Sequence, residues 1–194
     1  MTKQNFEAIF AAAIAADEEK FKYFDKWFNN ELPVSNITSF QYLCEERSFG
    51  RNQHLFHEGS HITHLFFIKE GDVEISRRIK INGRYEDRAL FKSFTNDREL
   101  GKNGRYIIPG VRPESIGIVS EGQLIGEDDF LQGNAYWTYS AKVIHHPTKV
   151  YMIDKIKFQS SYIYIGPIIE QLKKFSVAKK QWRQKQTINA FEMN

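Results

Sequence analysis

The sequence predicts an α+β fold, a small antiparallel β roll of jelly-roll type flanked by N-terminal and C-terminal helices. Two observations predict it. Phe6, Phe10, Ala13, Asp17, Phe21, Phe24 and Phe28 recur at helical spacing early in the chain, and Ile165, Ile168, Ile169, Leu172, Phe175 and Trp182 restore that spacing late. Between Ser39 and Ile153 the pattern changes to short apolar or alternating runs divided by Gly, Asn, Asp and Pro, as in a compact antiparallel sheet structure.

Taken in order, residues 3–30 read as one amphipathic helix or two short ones, with Asp17, Glu18, Glu19 and Lys20 as a charged break and Leu32-Pro33 as the stop. Leu65-Phe66-Phe67-Ile68 and Val73-Glu74-Ile75-Ser76 flank Lys69-Glu70-Gly71-Asp72, a hairpin pattern with glycine at the turn. Residues 79–117 carry Asn82-Gly83, Gly101, Gly104, Pro109-Gly110 and many charges, and read as an irregular hairpin or insertion. Lys149–Ile153 is the last strand, followed by helix to near Asn189. The expected organisation is a helical segment over 1–38, the β roll over 39–158 and a basic helical segment over 159–194.

The 194 residues are enough for one core, and 41% hydrophobic content is ordinary for a globular chain. A net charge of +3 is too mild for the concentrated basic face that DNA requires. Cys44 stands alone, so an internal disulfide is excluded, and its expected role is that of a small buried hydrophobe. The apolar run from Phe6 to Ala16 is shorter than the roughly 20 residues a membrane span needs. One Lys precedes it and the helical pattern runs on past it, unlike a secretory signal. An intracellular chain is expected, cytoplasmic or in a cytoskeletal, ciliary or organelle complex.

Gly122-Gln123-Leu124-Ile125-Gly126-Glu127-Asp128-Asp129-Phe130-Leu131 is the most informative stretch. Two glycines let the backbone turn and approach a ligand, and a short apolar turn follows the carboxylate of Glu127. From Asp128 to Ala141 there is no Lys or Arg, so an anion is expected to be repelled.

Phe49, Leu55-Phe56-His57-Glu58-Gly59, Leu65 through Ile75 and Ile125-Gly126-Glu127, in this order and spacing, resemble the cyclic nucleotide-binding domain family over about 39–158. The resemblance implies a roughly eight-stranded β roll with helices that act as a lid. It implies that Glu127 holds a ribose 2′-hydroxyl and that the amides from Gly126 to Phe130 meet the cyclic phosphate, with Asp128 within that turn. The family's phosphate-binding Arg falls at Tyr139, followed by small residues matched by Ser140 and Ala141, and its small residue after the Glu falls at Asp129. Both departures oppose phosphate. Removing one partner of a desolvated charge pair costs about 3–5 kcal/mol, which at about 1.4 kcal/mol per decade turns a micromolar site millimolar. Arg112 or Lys69 is the expected source of any replacement cation. Tyr136, Trp137 and Tyr139 either fill the vacated pocket or pack in the roll's core. Tyr139→Arg with Asp129→Ala is expected to restore binding if charge alone is missing.

His54, His57, His61 and His64, with His145-His146 elsewhere, raise zinc binding or pH sensing. His54 and His57 are expected on opposite faces of a strand, and no Cys supports a metal site, so no metal is expected. No catalytic motif is present, and Asp128 and Asp129 read as carboxylates on a solvated turn, so no enzyme is expected. Lys173, Lys174, Lys179, Lys180, Arg183 and Lys185 form a basic run on a helix with Phe175 and Trp182, a surface for an acidic partner; Trp182 is also a candidate lid residue. The function expected is a non-enzymatic structural or adaptor subunit that meets other chains through its terminal helices, with no cofactor. The alternative is a cAMP or cGMP sensor using Glu127 and the cassette amides.

Overall fold

The computed structural model describes residues 3–80, 99–100, 106–107, 111–145, 147–161, 165–177 and 179. Helix α1 spans Lys3–Trp27 and α2 spans Val34–Gln41. Strands β1 (Cys44–Phe49), β2 (His54–Phe56), β3 (His64–Glu70) and β4 (Val73–Lys80) follow. The short strands β5 (Glu99–Leu100) and β6 (Tyr106–Ile107) pair with each other. Then come β7 (Val111–Val119), β8 (Leu124–Ile125), helix α3 (Glu127–Leu131), β9 (Ser140–Val143), β10 (Thr148–Asp154), α4 (Lys155–Ser160) and α5 at 166–177. Most of the expected insertion at 79–117 lies outside the described residues.

Two antiparallel four-stranded sheets, in the orders β1-β10-β3-β8 and β2-β9-β4-β7, supply one buried cluster that also takes side chains from α1, α2, α4 and α5. The expected roll flanked by helices is therefore present. Three local expectations are corrected. Residues 39–41 are helical, because Ile37, Phe40 and Gln41 lie at helical spacing and are all buried in α2. Pro33 precedes this helix, where a missing backbone N–H is harmless. The predicted hairpin is a corner instead: β3 pairs with β10 and β8, while β4 pairs with β7 and β9. The turn between them is real, with Gly71 at φ +95°. Lastly, α1 is amphipathic only from about Lys20 onward, since residues 7–19 are exposed all round.

Aromatic packing fixes the inner half of α1. Phe24 meets Phe40 at 5.1 Å and Phe67 at 5.3 Å, both edge to face. The Tyr23 hydroxyl donates to the Ile68 carbonyl at 2.8 Å. Trp27 bridges Phe67 at 5.1 Å and Phe175 at 4.7 Å, so α1, β3 and α5 share one aromatic seam. Cys44 is buried and its thiol donates to the Phe40 carbonyl, with burial pushing its pKa up. Gly166-Pro167 opens α5, with proline in the first turn. Among the described residues, no helix is long and apolar enough to cross a membrane.

A Cβ at Gly71 would strike the Thr148 side chain and lie 3.0 Å from its Cα. Gly71→Ala, strained at positive φ as well, is expected to lower stability by about 1–3 kcal/mol in urea unfolding.

Candidate functional site: the cassette and its closing helix

Strand β8 ends at Ile125, and Gly126 turns the chain into α3 with φ +91°. The Phe130 amide returns to the Gly126 carbonyl at 2.9 Å, and the Phe130 ring packs on Phe158 of α4 at 5.1 Å. Positive φ is one reason for glycine here; close approach is the other. A Cβ would lie 2.7 Å and 2.8 Å from ring carbons of Trp137. Trp137 is 2% exposed and stacks on Phe56 with centroids 3.9 Å apart and planes 17° apart. Tyr139 is buried beside it, 5.4 Å from Phe56, and its hydroxyl accepts the Gly126 amide at 2.9 Å. Tyr136 is 52% exposed and lies against His61 at 4.6 Å, so it takes no part in this packing.

The two aspartates are not on a solvated turn. Asp129 is 2% exposed and accepts from Asn134 Nδ2 at 2.7 Å, Thr138 N at 2.9 Å and Thr138 Oγ1 at 2.8 Å. It pins the loop that carries Trp137 to α3. Asp128 is 9% exposed and accepts from Ser176 Oγ at 2.9 Å. Carboxylates with such donors tolerate burial, which is the physical reason the expectation from sequence failed.

Glu127 is fully buried, and the cation beside it is Lys179, with Nζ 3.7 Å from Oε1. Lys179 also donates to the Leu124 carbonyl. Together with Ser176 it ties the end of α5 to the cassette. Lys179 thus faces inward, not out to an acidic partner. Lys173 pairs with Glu170 at 3.0 Å and Lys174 is exposed. Lys180, Trp182, Arg183 and Lys185 lie outside the described residues, as does the Arg112 side chain. Lys69 is engaged elsewhere, with Glu19 at 3.1 Å and Glu46 at 3.0 Å.

The structure therefore gathers Gly126, Glu127, Asp128, Asp129, Phe130 and Tyr139 around one turn. Ser140 stands apart, its hydroxyl accepting the Glu58 amide at 2.9 Å. Phe56, Asn134, Thr138 and Ser176 were missed from sequence. Nothing local marks Ser176, whose partner lies 48 residues away. His54 and His57 also differ from expectation: their rings stack at 4.1 Å, because the pairing of β2 shifts between His54 and Phe56 and His57 lies beyond the strand. Among the described residues no group of three or more His, Cys, Asp or Glu has the arrangement of a metal site.

No protein-family model matches the sequence, and no curated protein matches it. Solved structures do. A cyclic nucleotide-binding domain from Methylobacillus flagellatus superposes with a TM-score of 0.60 at 14% identity, covering 88% of this chain and 83% of that one. The fold is that of cyclic nucleotide-binding domains. The regulatory domain of Toxoplasma gondii protein kinase A, solved with cAMP, gives 0.61 at 10% identity over 87% of this chain. The regulatory subunit of a cAMP-independent protein kinase A from Trypanosoma cruzi, bound to guanosine, gives 0.57 at 17% identity over 81%. This chain spans 52% and 44% of those two chains.

Asp129→Ala removes the acceptor for Thr138 and Asn134 inside the fold, and a buried donor left unmet costs about 1–3 kcal/mol. The variant is expected to lose at least about 2 kcal/mol in urea unfolding, whereas exposed Glu121→Ala shifts it by under about 0.5 kcal/mol.

Proposed function

We propose that this chain is a non-enzymatic adaptor, a structural subunit of a larger intracellular protein assembly, built on a cyclic nucleotide-binding fold whose ligand site is degenerate and filled by its own side chains. The observation that carries the reading is the Tyr139 hydroxyl on the Gly126 amide, with the Trp137 ring packed on the same glycine. In the resemblance, that amide belongs to the phosphate and the Tyr139 position to its arginine. The organisation proposed is 1–38, 39–158 and 159–194, with the terminal helical segments as docking elements.

Magnitudes favour this reading. A micromolar ligand has about 8 kcal/mol of binding free energy to lose. Absence of the arginine removes about 3–5 kcal/mol of it, and expelling a buried tryptophan costs about another 3–5 kcal/mol. What remains is close to zero. The alternative, a cAMP or cGMP sensor with Glu127 on the ribose, requires Lys179 to leave Glu127 and Trp137 to leave Gly126. The cassette carboxylates hold structure together, Asp129 through Thr138 and Asn134 and Asp128 through Ser176. That supports a role other than catalysis.

Calorimetric titration of the folded chain with cAMP, cGMP and guanosine to millimolar concentration is expected to show no binding; a micromolar dissociation constant for any of them sinks the reading. Tyr139→Arg alone should stay silent, while Trp137→Ala with Tyr139→Arg should bind cAMP measurably. Asp129→Ala is a poor partner for Tyr139→Arg, because Asp129 holds the Trp137 loop in place.

A further inference from the structure

From Glu7 to Glu19 every residue of α1 is exposed, including Ile9 at 62%, Phe10 at 59% and Ile14 at 45%. Ala8 to Ala16 contains no polar side chain, so the arm is apolar round its whole circumference for about 14 Å. Helices of that character are normally covered. At its root lies a shallow cleft of about 270 Å³ lined by Ile14, Asp17, Glu18, Phe21 and Gln41. Gln41 is 5% exposed, and its Oε1 meets no donor among the described residues. The cleft is therefore lined by two carboxylates and the Gln41 amide, between an aliphatic and an aromatic wall.

We propose that this cleft receives an arginine side chain from a helix of a partner protein that lies along the apolar arm of α1; this rests on the adaptor reading and names the chemistry of its partner. A cleft with two carboxylates between apolar walls calls for a cationic donor with an apolar stem. A guanidinium suits it better than an ammonium, because its planar array of five N–H groups serves several acceptors at once, stacks on an aromatic face such as Phe21 and sheds water more readily. Ile14 belongs both to the cleft wall and to the arm, so the arginine has apolar neighbours three and four residues away on its own helix. A lipid surface fits poorly. Interfacial helices carry Lys and Arg, whereas this arm has no cation between Lys3 and Lys20 and has Asp17, Glu18 and Glu19 at its root. The α1 of a second copy fits poorly too, since it contains no arginine.

The test is selection of a displayed library of randomised helical peptides, about 16 residues long, against the full chain. Selected binders should carry an arginine flanked by apolar residues three and four positions away. Replacing that arginine by glutamine, or making Asp17→Asn with Glu18→Gln in the chain, should weaken binding at least about tenfold. Both chain positions are exposed, so folding is preserved. An empty selection, binders without arginine, or binders indifferent to the Asp17 and Glu18 substitutions would overturn the proposal. So would binding to phosphatidylcholine–phosphatidylserine vesicles that Ile9→Asp abolishes, or self-association that Ile14→Asp abolishes. None of these outcomes touches the nucleotide titrations. Micromolar cAMP binding, conversely, sinks the adaptor reading and leaves the library result standing.

Discussion

Gly126 carries the constraint on which the rest of the cassette depends. Its φ of +91° swings the chain out of β8 into α3, and its missing Cβ lets the Trp137 ring close to a distance no side chain would permit. Its amide gives Tyr139 a buried partner for a hydroxyl that would otherwise be costly inside the roll. Through Phe56, both rings then fill the space against β2. From the same turn, Asp129 fixes the loop behind Trp137 and Asp128 reaches Ser176. One backbone conformation thus aligns interior packing, loop and closing helix.

The fold was legible because the periodicity of the chain changes twice, and because Gly126-Glu127 and the Gly71 corner are local signals with a steric cause. What was not legible depends on partners distant in sequence. A continuous apolar run marks β3 and alternation marks β4 as strands, but neither chooses its neighbours, so a corner between two sheets reads as a hairpin. Asp128 and Asp129 read as solvated because charged residues usually are, and only Ser176, Asn134 and Thr138 make burial tolerable. Lys179 read as one member of a basic face, although a single lysine of such a run can turn inward to a buried carboxylate. The last three residues of α2, Ser39 to Gln41, where the sequence pattern points to sheet, sit in a segment of β-branched and short polar residues whose propensity is weak either way.

Helix α1 divides into two halves that do different physical work. Its inner half is held by Tyr23, Phe24 and Trp27, with Phe28 just after it, against β3, α2 and α5, where mostly edge-to-face aromatic contacts add directionality to plain burial. Lys69, bonded to Glu19 and Glu46, marks the point where the helix leaves the roll. Beyond it, from Ala8 to Ala16, the side chains stay apolar while every one of them is exposed. That mismatch between composition and burial distinguishes the arm from an ordinary solvated helix, whose outer face would be charged.

A ligand moves an equilibrium only by as much as it binds one state better than the other. In a domain that switches, the contacts that hold the lid must therefore be weak without ligand. Here Ser176 and Lys179 supply those contacts from the chain itself, and Trp137 and Tyr139 supply the packing beneath them. On the adaptor reading, closure accompanies folding and no ligand remains to reverse it. Such a domain transmits geometry instead of a signal. Trp27 against Phe175, with the Gln171 amide donating to Glu31 at 3.0 Å, locks the inner end of α1 to α5. On that reading α1 and α5 are held in a fixed relation, which is the property an assembly needs from a rigid subunit and a sensor would have to give up.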